Sequence, residues 1–277
     1  MKNYFNQHLP TISATLNVDI DSIMEKSPSY FVNGANQSPA RKLFIDLGGN
    51  IGQSILQFLN WKQNEALSYD VVTFEANLEF IPQLVANTLP HQQRFNSLNI
   101  IPCAVGCRAG LKLVSFDGWQ LAEFGGERYR DRLVPTFQFT EWLLEQAELY
   151  QEIILKIDIE GAEYRLLDEL IESAAIHFIT DLFVEFHGER RGFTTDDTNR
   201  LISALYDSKI IPYMWEPSKD SQFVLKHNPS AERARIVPLD NSNANALNFV
   251  DTHGYIIEQY TGKNSMQAAK ISSIAKF

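Results

Sequence analysis

Thiols are scarce in this chain: two cysteines, Cys103 and Cys107, stand among 277 residues. A pair four residues apart matches neither a zinc ribbon nor a disulfide framework, so both read as reduced bystanders. Basic charge is in deficit as well. Lys and Arg number 24 against 34 Asp and Glu, a formal net charge of −10. That excess of acid favours solubility and argues against a broad phosphate-backbone footprint, so no nucleic-acid partner is expected. A small anionic ligand in a local pocket stays compatible with it. No window approaches ~18 uninterrupted apolar residues, so no helical membrane span is expected. Residues Met1 to His8 lack the apolar core of a signal peptide, and the expected location is the cytoplasm. Internal repeats and low-complexity tracts are missing too.

What is present is an ordinary globular balance: 44% hydrophobic, 21% charged and 12% aromatic residues. That excludes a disordered chain, a collagen and a coiled-coil rod. The length allows one large domain or two small ones at ~100–200 residues each. A chain this long buries roughly three quarters of its extended surface. Residues 1–41 are polar, with Ile12, Leu16, Ile20, Ile23 and Met24 at helical spacing, and read as a helical extension or lid. The segment 33–41, rich in turn residues, reads as a linker. The main domain is expected over 42–250, with a tail over 251–277.

Within that domain, apolar or β-branched runs predict strands at 43–47, 71–75, 99–105, 111–116, 153–158, 178–186 and 209–215. Pro102 marks the third as an edge strand. One more strand is expected at either 222–226 or 246–250. Helical spacing predicts helices over 51–59, 78–88, 140–149 (with Thr140 as cap), 162–171 and 195–208. Residues 117–135 read as a long irregular loop, of the kind that is usually functional. Strands alternating with helices predict an α/β fold with a mostly parallel sheet and ligands at the carboxyl ends of its strands.

Three clusters carry chemistry. Asp46-Leu47-Gly48-Gly49-Asn50-Ile51-Gly52 is a strand running into a glycine turn and then a helix, whose amide groups suit a carboxylate or phosphate. Leu47 stands where the dinucleotide fingerprint needs glycine, which disfavours a nicotinamide site and an NAD-dependent oxidoreductase. Glu75 follows Asp46 by 29 residues, one βαβ repeat, so both acids reach one rim of the sheet. An acid there suits ribose hydroxyls. Lys156-Ile157-Asp158-Ile159-Glu160-Gly161-Ala162-Glu163 places Lys156 and Asp158 on one face of a strand, and a buried lysine needs an acidic partner. Glu160 and Glu163 suit a helix start. Glu185-Phe186-His187-Gly188 ends the fifth strand, so His187 faces Asp158 across the rim and is a candidate base. An Asp, a Glu and a His on that rim also form a candidate divalent-metal site. Trp119, Arg128, Tyr129, Arg130 and Arg132 are candidates to line a substrate pocket. His8, His91, His177, His227 and His253 have no such setting.

Together these segments resemble the FkbM-type S-adenosylmethionine-dependent methyltransferases. The resemblance covers about residues 42–215 and rests on the motifs at 44–52, 72–77 (Val-Thr-Phe-Glu-Ala-Asn), 101–106, 156–163 and 184–187. Departures are Gly49, where the family usually has a small residue such as alanine, Ala76 in place of a common proline, and Thr136-Phe137-Gln138-Phe139 in place of a Thr-Leu-Asp pattern. The resemblance implies a class I methyltransferase domain, a Rossmann-like, seven-stranded sheet with helices on both faces. It implies that Gly48, Asn50 and Gly52 surround the amino-acid part of S-adenosylmethionine, with Asp46 beneath, Gly49 and Ala104 in the same set, and Glu75 on the ribose. S-adenosylhomocysteine would be the product. The implied reaction is methyl transfer to a hydroxyl of a sugar, glycan or secondary metabolite. His187 or Asp158 would then be the base, with Lys156 and Glu160 holding geometry. N-methyl transfer and a non-catalytic cofactor-binding scaffold are the alternatives.

Overall fold

The structure is a computed structural model, in which residues 41–116, 121–122, 130–188, 191–215, 232–237, 249–250, 256–261 and 265–266 are described. The helices expected within 1–41, residues Trp119, Arg128 and Tyr129, and the strand option at 222–226 lie outside these residues.

The apolar runs form the parallel strands of a central sheet: β1 (Lys42–Leu47), β2 (Tyr69–Phe74), β3 (Ser97–Ile101), β8 (Glu152–Ile157), β9 (Asp181–Val184) and β10 (Pro212–Tyr213). Their order is β3-β2-β1-β8-β9-β10. Strand order therefore reverses between β1 and β8, the switch point at which open α/β sheets bind ligands. An antiparallel ribbon extends the far edge: β11 (Glu232–Val237), β13 (Ile256–Thr261), β12 (Phe249–Val250) and β14 (Ser265–Met266). Among the described residues this sheet has ten strands, and β13 lies past residue 250, within the segment expected as a tail.

Helices cover both faces because β1 and β8 are apolar on both. Leu43, Ile45, Leu47, Ile153, Leu155 and Ile157 pack on one side with α3 (Phe139–Ala147), α4 (Glu163–Glu172) and α5 (Thr195–Asp207). Phe44 and Ile154 pack on the other with α1 (Gln53–Lys62) and α2 (Ile81–Thr88), where Phe44 and Phe58 stack with ring centroids 4.0 Å apart. α5 starts as its sequence dictates: the Thr194 side chain accepts from the Asp197 N–H while the Asp197 side chain accepts from the Thr194 N–H, a capping box.

Four expectations need correction. Residues 130–135 are not loop: β7 (Arg130–Gln138) pairs along its length with β5 (Gly110–Phe116). Its charged Arg130-Asp131-Arg132 start gives no strand signal, so the pairing is made by the partner strand. With β4 (Ala104–Gly106) and β6 (Leu121–Ala122) these strands make a second, four-stranded sheet. Pro102 does mark an edge, since β3 ends the central sheet and stops at Ile101 before the chain enters β4. Thr140 is not a cap: α3 starts one residue earlier, after Gln138. The fifth and sixth strands are shorter than expected: β9 spans only Asp181–Val184, and only Pro212–Tyr213 pairs in β10.

Candidate functional site

Strand register builds the site. Thr73, Asp46 and Lys156 are lateral partners on β2, β1 and β8, so the period of two brings all three to one face. Asp46 is fully buried. Its Oδ2 accepts from Ser54 Oγ at 2.5 Å and from Thr73 Oγ1 at 3.0 Å, and its Oδ1 faces Lys156 Nζ at 3.0 Å. The acid expected to meet the turn or a ligand amine is thus committed within the protein, beneath the glycine turn. Lys156 Nζ also donates to Gly48 O at 2.8 Å and lies 3.3 Å from Asp158 Oδ2. Burial by itself would lower its pKa, but the carboxylates of Asp46 and Asp158 outweigh that and hold it above the usual lysine value.

The turn is shaped by close approach. Gly48 has φ +86°, and a Cβ there would stand 1.8 Å from the Asp158 carbonyl oxygen. A Cβ on Gly49 would meet Thr73 Oγ1 at 2.2 Å, so the alanine usual in the resembled family has no room here. Gly52, also left-handed, hands the chain to α1. Gly49 and Gly52 therefore shape the turn, whereas Gly48 and Asn50 line the pocket.

Glu75 leaves β2 at the same rim and is buried. Its two oxygens accept from the Asn50 N–H at 2.7 Å and the Asn77 N–H at 2.6 Å. Burial pushes its pKa from 4.5 up to about 7, against those two amides, which favour the charged form. The folded chain therefore holds this proton more tightly than the unfolded chain does. Its contribution to stability is full below the ordinary carboxylate value and is lost as pH rises through about 7. Urea unfolding of wild type and Glu75→Gln between pH 4.5 and 8 should show that loss in wild type and a flatter curve in the variant.

A pocket open to solvent lies over these residues. Its polar end is Gly48, Asn50, Glu75 and Asn77; its apolar wall is Ala76, Phe80, Ala104, Val105 and Val114; Lys112 of β5 and the rim residues Asp158 and Glu160 complete it. The second sheet thus supplies one wall, because Val114 and Val134 pack on Ala76 and Ala104. Asn77 is 2% exposed and its Nδ2 has no hydrogen-bond partner among the described residues, while its Oδ1 accepts from Glu79 N at 3.1 Å.

The rim beyond the pocket is acidic. His187 is buried, and its Nδ1 lies 3.2 Å from Glu163 Oε1, which also accepts from the His187 main-chain N–H at 2.7 Å. The other Glu163 oxygen accepts from the Gly161 N–H at 2.7 Å. His187 Nε2 faces Asp158, Glu160 and Glu185 at 3.6, 3.8 and 3.6 Å. Burial alone would lower the His187 pKa, but Glu163 first, then Glu160 and Asp158, raise it to about 10. These carboxylates favour the charged ring, which weighs against His187 as the proton acceptor. Burial and the nearby Asp158 push Glu185 up to about 7. Glu160, at φ +54°, is held by the Arg191 guanidinium, which crosses over Gly161 where a Cβ would meet Arg191 Cγ at 2.8 Å.

The structure brings Asp46, Lys156, Asp158, Glu160 and His187 into one network and places Gly48, Asn50, Glu75 and Ala104 around one pocket. Sequence reasoning left out Glu163, Glu185 and Arg191 as site residues. Glu185 was legible as the strand-end acid two residues before His187. Glu163 was legible only as a helix-start acid, and Arg191 gave no signal.

No model of a known protein family matches this chain, and no curated protein matches it. Among solved structures, the crystal structure of a methyltransferase FkbM from Methylobacillus flagellatus KT matches 76% of this chain and 44% of that one, with 15% identity and a TM-score of 0.33. This chain therefore spans less than half of that protein's length.

Proposed function

We propose that this protein is an S-adenosylmethionine-dependent methyltransferase that moves a methyl group to a hydroxyl of a sugar, glycan or secondary metabolite. The observation that carries this reading is Glu75, held by the Asn50 and Asn77 amides in the pocket at the switch point. The donor set fits the cofactor: a carboxylate for ribose hydroxyls, a glycine turn for the amino-acid part, and an apolar wall from Ala76 to Val114 for a flat ring. The resemblance of the 156–163 motif to the FkbM-type enzymes supports the same reading.

When bound, the cofactor supplies an already activated methyl group on a sulfonium. The chain's share is positioning, which can supply ~7–11 kcal/mol of barrier reduction. Gly48, Asn50 and Glu75 hold and orient. Lys156 ties Asp158 to the glycine turn through Asp46 and Gly48 O, so the rim moves with the cofactor site. A carboxylate of the acidic rim, where Asp158 and Glu160 line the pocket and His187 stands behind them, would take the proton of the acceptor hydroxyl.

A thermal-shift panel with S-adenosylmethionine, S-adenosylhomocysteine, NAD and NADP tests the reading. A ligand at ~100 times its dissociation constant adds about 2.7 kcal/mol. The two sulfur ligands should shift wild type, and Glu75→Gln should lose about tenfold or more in affinity, since a hydrogen bond to a charged group contributes ~1.5–3 kcal/mol. A shift with NAD alone would overturn the reading in favour of an oxidoreductase. Asp158→Asn should keep cofactor affinity and lose about 10²–10⁴ in kcat if proton removal at the rim is part of the reaction. Cofactor binding with no product from any hydroxyl or amine acceptor would point to a scaffold.

A further inference from the structure

The rim carries a second cluster beside the pocket. One ligand-type atom from each of Asp158, Glu185 and His187 lies within 4.8 Å of the other two. We propose that these three residues form a binding site for one divalent first-row transition ion of the Mn²⁺ type. The site goes beyond methyl transfer, and its occupancy does not depend on a cofactor.

Three observations support it. The first is ring orientation. His187 Nδ1 is turned to Glu163 on α4, a fully buried residue outside the ligand set that also fixes the His187 main-chain N–H. A carboxylate behind the ring is how proteins usually present the opposite nitrogen to a metal. Here Nε2 is aimed between Asp158 Oδ1 and Glu185 Oε1, 3.6 Å from each.

The second is charge. Asp46, Asp158, Glu160, Glu163 and Glu185 converge on a region in which Lys156 is paired to Asp46 and Asp158, and Arg191 to Glu160. Among the described residues these carboxylates outnumber the cations Lys156, Arg191 and the nearby Lys112, and a divalent ion in place of the ring proton offsets part of that excess. At the opposite end of the sheet the acids are matched: Glu65 and Glu152 meet Lys42 and Lys62.

The third is reach. Octahedral bonds of about 2.1 Å put neighbouring ligand atoms about 3 Å apart. Bringing the 3.6 Å separations, and up to 4.8 Å between the two carboxylates, to that spacing takes rotations of Asp158 and Glu185, whose side chains are 30% and 38% exposed. One imidazole with two carboxylates suits Mn²⁺, Fe²⁺ or Zn²⁺ better than an all-oxygen ion such as Ca²⁺. Asp158 also lines the pocket, so an ion held there has open positions toward an oxygen-bearing ligand.

The test uses the full chain, stripped with a chelator and titrated with Mn²⁺ by calorimetry, with electron spin-echo spectroscopy of the loaded protein. One Mn²⁺ per chain and a nitrogen coupling are expected. His187→Gln should abolish the coupling, Glu185→Gln should weaken binding about tenfold or more, and Glu163→Gln should weaken it about 10–100-fold. Glu185 is exposed enough that its variant keeps the fold, which circular dichroism checks. The proposal is overturned by no saturable uptake of Mn²⁺ or Zn²⁺ at millimolar concentration, by Mn²⁺ bound without nitrogen coupling, or by wild-type affinity in a folded Glu185→Gln. S-adenosylhomocysteine affinity, measured in parallel without metal, judges the methyltransferase reading separately.

Discussion

Gly48→Ala is expected to cost about 3 kcal/mol or more in urea unfolding and to abolish cofactor-induced stabilisation. Two effects add. A left-handed backbone, here φ +86°, costs a non-glycine residue of order 1–3 kcal/mol. The new Cβ would also stand 1.8 Å from the Asp158 carbonyl oxygen, a main-chain atom that moves only if the end of β8 moves with it. Gly52→Ala is the control. Its φ of +92° is similar, but its Cβ would meet a side-chain atom, the Thr88 methyl at 2.6 Å, with no main-chain atom nearer than 3.6 Å. Gly52→Ala should cost clearly less, and equal costs would show that β1 and β8 do not approach as closely as described.

Lys156→Met is expected to lose about 3–5 kcal/mol, the range for stripping one partner from a buried ion pair. Asp46 has no exposure, and its Oδ1 faces Lys156 Nζ at 3.0 Å, so the variant strands a carboxylate in the core. Asp46→Asn in the Lys156→Met background should restore part of the loss, because the stranded charge is then gone. The coupling should fall in the 0.5–3 kcal/mol span seen for contacting pairs. Simple additivity of the two changes would refute the pairing. Cofactor binding should weaken alongside stability, since Lys156 also holds the Gly48 carbonyl at 2.8 Å.

How far the site could be read from sequence differs residue by residue. Strands β1, β2 and β8 were legible because each is a short apolar run ending in polar or glycine residues, and the glycine turn announced itself by composition. The need for an acidic partner at Lys156 was legible too, since a lysine between Leu155 and Ile157 has no solvent to face. Which acid serves was not. Asp158, two residues away, lies 3.3 Å from Nζ, yet Asp46 is closer at 3.0 Å. Strand β7 was missed because its Arg130-Asp131-Arg132 start carries no β-branched alternation and pairs only because β5 lies beside it.

By itself, the sequence determined what local chemistry can determine. It settled an α/β alternation, left-handed glycines at a strand-to-helix turn, acids at two successive strand ends, and a histidine at a third. Tertiary structure decided how those groups are used. Parallel register set Thr73, Asp46 and Lys156 side by side, turning an apparent ligand-facing acid into a buried counter-ion. Glu163 at the start of α4 sits behind His187, which sets a carboxylate against the ring that the sequence offers as a base. The reason is the same in both cases. A side chain's protonation and partners depend on burial and on neighbours far away in the chain, such as Lys156 and Gly48, 108 residues apart. No local pattern of residues encodes that proximity.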